Sequence, residues 1–144
     1  GNGSANTLKG LGKADTIDGG GGGDKIYGGA GNDVLKGGAG KDGFYFDGPL
    51  NPKYNVDTIL DFAPLDDTIF LDRTVFTGIA QGRLASQAFR LGTEAADSND
   101  RILYDQATGR IFYDADGDGA AAAILFAQLE PGTRLTNADF VGYI

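Results

Sequence analysis

Glycine and aspartate return every nine residues through positions 1–45 of this chain, and the register never slips. Divided at Gly10, Gly19, Gly28 and Gly37, the segment reads GNGSANTLK, GLGKADTID, GGGGGDKIY, GGAGNDVLK and GGAGKDGFY. The sixth place of the units holds Asn6, Asp15, Asp24, Asp33 and Asp42, and the eighth holds Leu8, Ile17, Ile26, Leu35 and Phe44. A fixed period with one apolar residue per unit marks a stacked repeat, whose units bury that residue only against one another. Sixteen of the 25 glycines fall within residues 1–45. A loop that turns this tightly needs positive φ, which glycine adopts without steric cost. The last three residues of a unit, such as Lys25-Ile26-Tyr27, form a short strand whose middle side chain points inward. A flexible linker has no reason to keep Ile26 and Leu35 in phase. The G-x-G-x-x-G match from Gly38 to Gly43 lacks the strand-then-helix setting of a phosphate loop.

One loop and one strand make half a coil, so loops two units apart stack. Asn6, Asp24 and Asp42 then line one edge, and Asp15 and Asp33 the other. Calcium takes six to eight oxygen ligands at about 2.3–2.6 Å, and carbonyls with one carboxylate from each of two stacked loops can fill that shell. Roughly three sites follow within the repeats, between loops one and three, two and four, and three and five. A site that includes Asn6 lacks one negative charge and is expected to bind more weakly.

The formal charge of −8 and the pI of about 4.3 speak against nucleic acid or an anionic membrane as partner and for cations. Without metal the stacked aspartates repel one another, and a segment so rich in glycine loses much backbone entropy on ordering, so the repeats are expected to be unfolded. The chain has neither cysteine nor histidine, which removes a disulfide framework and most zinc and nucleophilic chemistry. No apolar run approaches the roughly 18 residues of a membrane span. The absence of methionine and the opening on Gly1 without a charged-then-apolar leader read as a fragment or processed product of a longer protein.

Glycine thins out after Phe44-Tyr45-Phe46, dividing the chain into repeats at 1–45 and a β-rich capping segment at 46–144. Asn55–Phe62 and Asp67–Leu71 alternate apolar and polar residues and read as strands closing the open end of the coil, where core and edge would otherwise be exposed. Arg101–Asp105 and Arg110–Asp114 around Gln106–Gly109 form a β-hairpin, with a third strand at Ala121–Phe126. Short helical turns are expected at Ser86–Leu91 and at Thr136–Phe140, the latter capped by Thr136. The DADGDG loop from Asp114 to Gly119 fits the first half of an EF-hand loop, but Leu125 stands where the bidentate Glu belongs and strands flank it. An acidic turn is the expected reading.

The five nonapeptides, the FYF that ends them, the NVDTILDF and DDTIFL segments and the closing ADFVGYI together resemble the C-terminal part of RTX proteins, whose haemolysin-type repeats bind calcium. The resemblance covers nearly the whole chain and is most specific in the repeats. It implies an all-β fold, a parallel β-roll capped by a C-terminal β-rich segment. It also implies export from Gram-negative bacteria through a type I channel that reads a C-terminal signal. The family pattern implies ligands at places two, four and six: Gly20, Gly22 and Asp24; Gly29, Gly31 and Asp33; Gly38, Gly40 and Asp42. Asp15 fits with the carbonyls of Leu11 and Lys13, and Asp57 and Asp67 look like ligands that finish the last sites, the alternative being solvent-facing strand ends.

The expected function is a secreted, non-catalytic module that binds several calcium ions and folds on doing so. Its expected partners are calcium, the type I secretion machinery and an upstream domain of the parent protein. Extracellular calcium modules bind at about 10⁻⁴–10⁻³ M, so the sites stay empty in the cytosol and fill outside. An accessory module that holds an enzyme near a polysaccharide is the rival, with Tyr27, Tyr45 and Tyr54 available to stack on sugars. A hydrolase built on paired carboxylates ranks last, because loops account for the aspartates and Glu94 and Glu130 have no evident partner.

Overall fold

In the computed structural model, which describes residues 1–144, each of the first four repeats contributes one three-residue strand: β1 (Thr7–Lys9), β2 (Thr16–Asp18), β3 (Lys25–Tyr27) and β4 (Val34–Lys36). The fifth gives β5 (Gly43–Phe46). Because glycine turns reverse the chain after every strand, odd strands collect in one sheet and even strands in the other. The register is that of the repeat: Leu8 pairs with Ile26 and Ile26 with Phe44 on one side, and Ile17 with Leu35 on the other. All these pairings are parallel.

β6 (Asp57–Ile59) and β7 (Thr68–Asp72) add further parallel rungs to the two sheets rather than closing them. The expected division between residues 45 and 46 falls within β5, and both sheets run on across it. Closure comes later. On the first sheet β13 (Phe140–Tyr143) pairs parallel with β7 and antiparallel with β8 (Gly82–Arg83). On the second, β12 (Ile124–Gln128) pairs parallel with β6, then antiparallel with β11 (Arg110–Tyr113). β10 (Ile102–Asp105) and β9 (Phe89–Leu91) complete that sheet. The final orders are β1-β3-β5-β7-β13-β8 and β2-β4-β6-β12-β11-β10-β9, with no α-helix.

A single core lies between the sheets. Ile26, Phe44, Ile59, Ile69 and Phe140 have no exposed surface, whereas Leu8 and Ile17 of the end coil are only partly covered. In the capping part the core turns aromatic, with Phe46 and Phe76 set edge-on to Phe126 at 5.2 and 4.9 Å between ring centroids. Edge-to-face contacts of this kind satisfy the ring quadrupoles and resist slippage between the layers.

The hairpin stands where the sequence puts it, but the strand after it begins at Ile124 rather than Ala121. Small alanines have little to pack on a pleated face, while Phe126 and Ala127 reach the core. The expected helical segment at 86–91 is a 3-10 turn at Ser86–Ala88 followed by β9. At the other, Asn137–Asp139, Thr136 and Asp139 form a reciprocal capping box.

The second repeat departs from the pattern at two turn positions. Leu11 and Lys13 carry φ of 78° and 74°, where the third, fourth and fifth repeats have glycine. A side chain in this region costs on the order of 1 kcal/mol or more. Leu11→Gly and Lys13→Gly are each expected to raise stability by up to about 1 kcal/mol, part of the gain being offset by the freer unfolded chain. Urea unfolding in calcium measures it; unchanged or lower midpoints would show the strain to be absent.

Candidate metal centre

Stacking at a strand's spacing brings the sixth-place side chains into two ladders. In each, the Oδ1 of one aspartate accepts the backbone N–H of its counterpart two units earlier. The donors and acceptors are Asn6 to Asp24 at 2.7 Å, Asp15 to Asp33 at 2.8 Å and Asp24 to Asp42 at 2.8 Å. The pattern outlives the repeats. Asp33 donates to Asp57 at 3.2 Å and Asp42 to Asp67 at 3.0 Å, although the sequence separation has grown from 18 to 24 and 25 residues. The extra residues bulge out as loops, so Asp57 and Asp67 occupy the next rungs rather than solvent-facing strand ends. Both are buried.

The other carboxylate oxygen carries the chemistry. Oδ2 of Asp15, Asp24, Asp33 and Asp42 is buried and has no hydrogen-bond partner. Buried oxygens of this kind are costly unless a donor or a cation meets them. Each lies close against the first glycine of its own loop. A Cβ placed on Gly10 would lie 2.6 Å from both Asp15 Oδ2 and the Gly28 carbonyl oxygen. One on Gly19 would lie against Asp24 Oδ2 and 2.5 Å from the Gly37 carbonyl. One on Gly28 would meet Asp33 Oδ2 and, at 2.8 Å, Asp57 Oδ2, and one on Gly37 would lie 2.5 Å from Asp42 Oδ2. Four clusters of close oxygens result, each a candidate ion position or gap, and in a fifth beside Gly1 the uncharged Asn6 Oδ1 stands instead.

No three acidic side chains converge on one point. Carbonyls must therefore supply most of any shell. Gly20, Gly22, Gly29, Gly31, Gly38 and Gly40 all have positive φ, between 93° and 142°. Their carbonyls divide in role. The second-place oxygens of Leu11 and Gly20 accept the N–H groups of Ala30 and Ala39 at 3.1 and 2.9 Å, tying coil to coil. The fourth-place oxygens of Lys13 and Gly22 enter no such bond and press on Gly31 and Gly40 of the next coil, where no Cβ fits.

The first-place carbonyls of Gly28 and Gly37, which stand beside the free carboxylate oxygens, are absent from the ligands expected from sequence. So is Asp61, whose two oxygens accept the N–H groups of Gly37 and Gly38 at 2.9 and 2.8 Å. Its place four residues after Asp57 in the NVDTILDF segment is the only sequence signal for it.

The ladders are electrostatically crowded. Burial, opposed by the Asp33 N–H and reinforced by the charges of Asp33 and Asp47, pushes Asp57 up to about 7. Burial also raises Asp42 and Asp67 above the usual carboxylate range; backbone N–H bonds oppose the shift and neighbouring aspartates add to it. A hard cation among such oxygens would reverse this penalty. The donor set, carboxylates and carbonyls with no nitrogen or sulfur, suits calcium rather than zinc or copper.

Elsewhere the acidic groups serve the backbone. Asp114 accepts the N–H of Asp116 at 3.2 Å and Asp116 that of Ala121 at 3.1 Å, so the DADGDG segment is a turn between β11 and β12. The outer face of the first sheet carries an aromatic stack: Tyr27 on Tyr45 at 4.5 Å, Tyr45 on Phe70 at 4.4 Å and the Lys9 ammonium 4.7 Å above Tyr27. Both faces of Tyr27 and Tyr45 are thus covered, leaving neither ring a face for a sugar. Tyr54 is exposed, with Lys53 4.8 Å over one face.

A family model described as RTX calcium-binding nonapeptide repeat (4 copies) matches residues 1–35 and 19–48. Comparison with curated protein sequences gives no match. Among solved structures, the solution structure of the AlgE6R2 subunit of the Azotobacter vinelandii mannuronan C5-epimerase is similar at 25% identity and a TM-score of 0.54. It covers 97% of this chain and 89% of its own. The AlgE6R3 subunit of the same enzyme is similar at 25% identity and a TM-score of 0.51, over 96% of this chain and 78% of its own.

Proposed function

The first 48 residues of this chain are RTX calcium-binding nonapeptide repeats wound into a β-roll, and on that premise we propose that calcium is the trigger for its folding after export. The observation that carries the reading is the set of four buried, partnerless Oδ2 atoms, one per gap. We assign the ions to those gaps. Asp15, Asp24, Asp33, Asp42, Asp57 and Asp67 supply the charge, and Asn6 the weakest position. The carbonyls of Gly20, Gly22, Gly29, Gly31, Gly38 and Gly40 complete the shells together with those of Gly28 and Gly37.

In this reading residues 1–45 carry the calcium-binding repeats, and 46–144 form the cap that shields the last coil and lends Asp57 and Asp67 to its final sites. A chain empty of calcium in the cytosol passes the type I channel unfolded, meets millimolar calcium outside and folds there, stabilising the domain it is joined to. Binding confined to the folded state favours that state by mass action. The similar structures are subunits of an epimerase, and we read this chain as an accessory rather than a reacting part. The covered faces of Tyr27 and Tyr45 give the polysaccharide-binding alternative no aromatic platform on that sheet.

Calorimetric titration of the chelator-treated chain tests the assignment. Calcium is expected to give saturable heat with dissociation constants of about 10⁻³ M or tighter, with several ions per chain. Magnesium, which dehydrates reluctantly and demands octahedral geometry, is expected to give little. Equal responses to the two ions, or fewer than two calcium ions bound, would overturn it.

A further inference from the structure

Asn2 precedes Gly3, and of the chain's seven asparagines it alone has glycine after it. Both residues are exposed, as is Ser4. The later repeats hold Leu11-Gly12, Gly20-Gly21, Gly29-Ala30 and Gly38-Ala39 at these two places, none with a side-chain carbonyl beside the backbone. Three hydrogen bonds fix the local chain. The Asn2 N–H donates to Asn6 Oδ1 at 3.1 Å, the Ser4 N–H donates to Asn2 Oδ1 at 2.8 Å, and the Asn2 carbonyl accepts the Gly21 N–H at 2.7 Å. The Gly3 N–H lies outside every strand and donates to no carbonyl.

Each of these features favours one reaction. A backbone nitrogen reaches the side-chain carbonyl carbon of a preceding asparagine most readily when its own residue has no Cβ to crowd the approach, and glycine has none. The charge that develops on Oδ1 during the attack is stabilised by an N–H already aimed at that oxygen, here that of Ser4. The Gly3 N–H, held by no acceptor, is free to give up its proton to hydroxide.

The geometry points to Asn2 as a site of spontaneous deamidation. The Gly3 nitrogen bonds to Asn2 Cγ as its proton passes to base. The Cγ–Nδ2 bond breaks, ammonia leaves with a proton taken from water, and a succinimide ring remains. Water then opens the ring at either carbonyl, giving aspartate or the isoaspartyl form, in which the backbone runs through Cβ and Cγ. No oxidant, reductant or enzyme is required.

Both products change the end coil. Aspartate adds a negative charge to the loop of Asn6, whose own position lacks one. The isoaspartyl form lengthens the backbone by one carbon and turns the carbonyl that ties Asn2 to Gly21 into a pendant carboxylate, which puts the first loop out of the repeat's spacing. Chemical ageing is thereby directed to the end of the roll that has the weakest ion position.

Incubation of the calcium-loaded full chain at mildly alkaline pH, followed by trypsin, tests the site. Cleavage after Lys9 releases the first nonapeptide, in which mass fragmentation separates Asn2 from Asn6 and isoaspartyl methyltransferase labels the rearranged linkage. Asn2 is expected to convert at least about tenfold faster than any other asparagine. Gly3→Ala is expected to slow the conversion at least about tenfold by crowding the attack. The fold tolerates that change, because a Cβ on Gly3 would meet nothing within 4 Å and its φ is not among the positive ones. Earlier conversion of another asparagine, an Asn2 that stays intact, or a Gly3→Ala chain that converts as fast as its parent would overturn the proposal. The readout is a covalent change, so its outcome is separate from that of the calcium assignment.

Discussion

Dialysis against EDTA is expected to abolish most of the β-sheet circular-dichroism signal of this chain, and millimolar Ca²⁺ to restore it. The ladders explain the size of the effect. Rungs of a sheet are about 4.8 Å apart, and at that distance two unit charges repel by roughly 3 kcal/mol at an effective dielectric constant near 20. Asp24, Asp42 and Asp67 form one such column and Asp15, Asp33 and Asp57 the other. Against this, one ion bound only by the folded state stabilises it by about 2.7 kcal/mol at a hundredfold excess over the dissociation constant. Four gaps then supply about 11 kcal/mol, as much as the roughly 5–15 kcal/mol by which whole domains are stable. Glycine-rich loops with three-residue strands have no other term of that size. The antiparallel strands β10–β12, with their aromatic contacts, are the part expected to keep residual signal. A spectrum unchanged in excess chelator would show that packing alone holds the coil.

The repeats were readable because every constraint on them is local and periodic. Glycine marks a turn, the sixth place a ladder and the eighth the core, and a register fixed for one unit holds for all. Asp57 and Asp67 were harder, since insertions of six and seven residues break the period before the ladder resumes. What identified them was family resemblance, and the structure supplies the physical reason for their burial, the N–H groups of Asp33 and Asp42. Asp61 and the carbonyls of Gly28 and Gly37 were out of reach, because backbone direction in a loop is not a property of its residue types. The pairing of β13 with β7 spans some 70 residues of sequence and depends on the sheet already built by the repeats.

Substitutions along the ladders are expected to fall into two classes by position. In the proposed assignment, with each ion bridging two successive rungs, Asp33 serves two ions: its rung lies between that of Asp15, whose N–H its Oδ1 accepts, and that of Asp57, whose Oδ2 stands with its own beside Gly28. Asp15, in the first coil of its column, has only the gap beside Gly10. Asn in place of Asp keeps the Oδ1 acceptor and the shape while removing the charge, so the difference isolates the ion. In saturating calcium, Asp33→Asn is expected to lose about 5 kcal/mol of stability and Asp15→Asn about half as much. The reverse change, Asn6→Asp, places a carboxylate in the one gap that lacks its own and should raise both calcium uptake and stability. Urea unfolding of the three variants, with and without calcium, measures the ordering. Equal losses for Asp33→Asn and Asp15→Asn would mean that the gaps do not hold separate ions. Losses that persist undiminished in chelator would mean that the aspartates act through their backbone bonds alone. The two-to-one ratio, present only with calcium, is the signature of ions shared between successive coils.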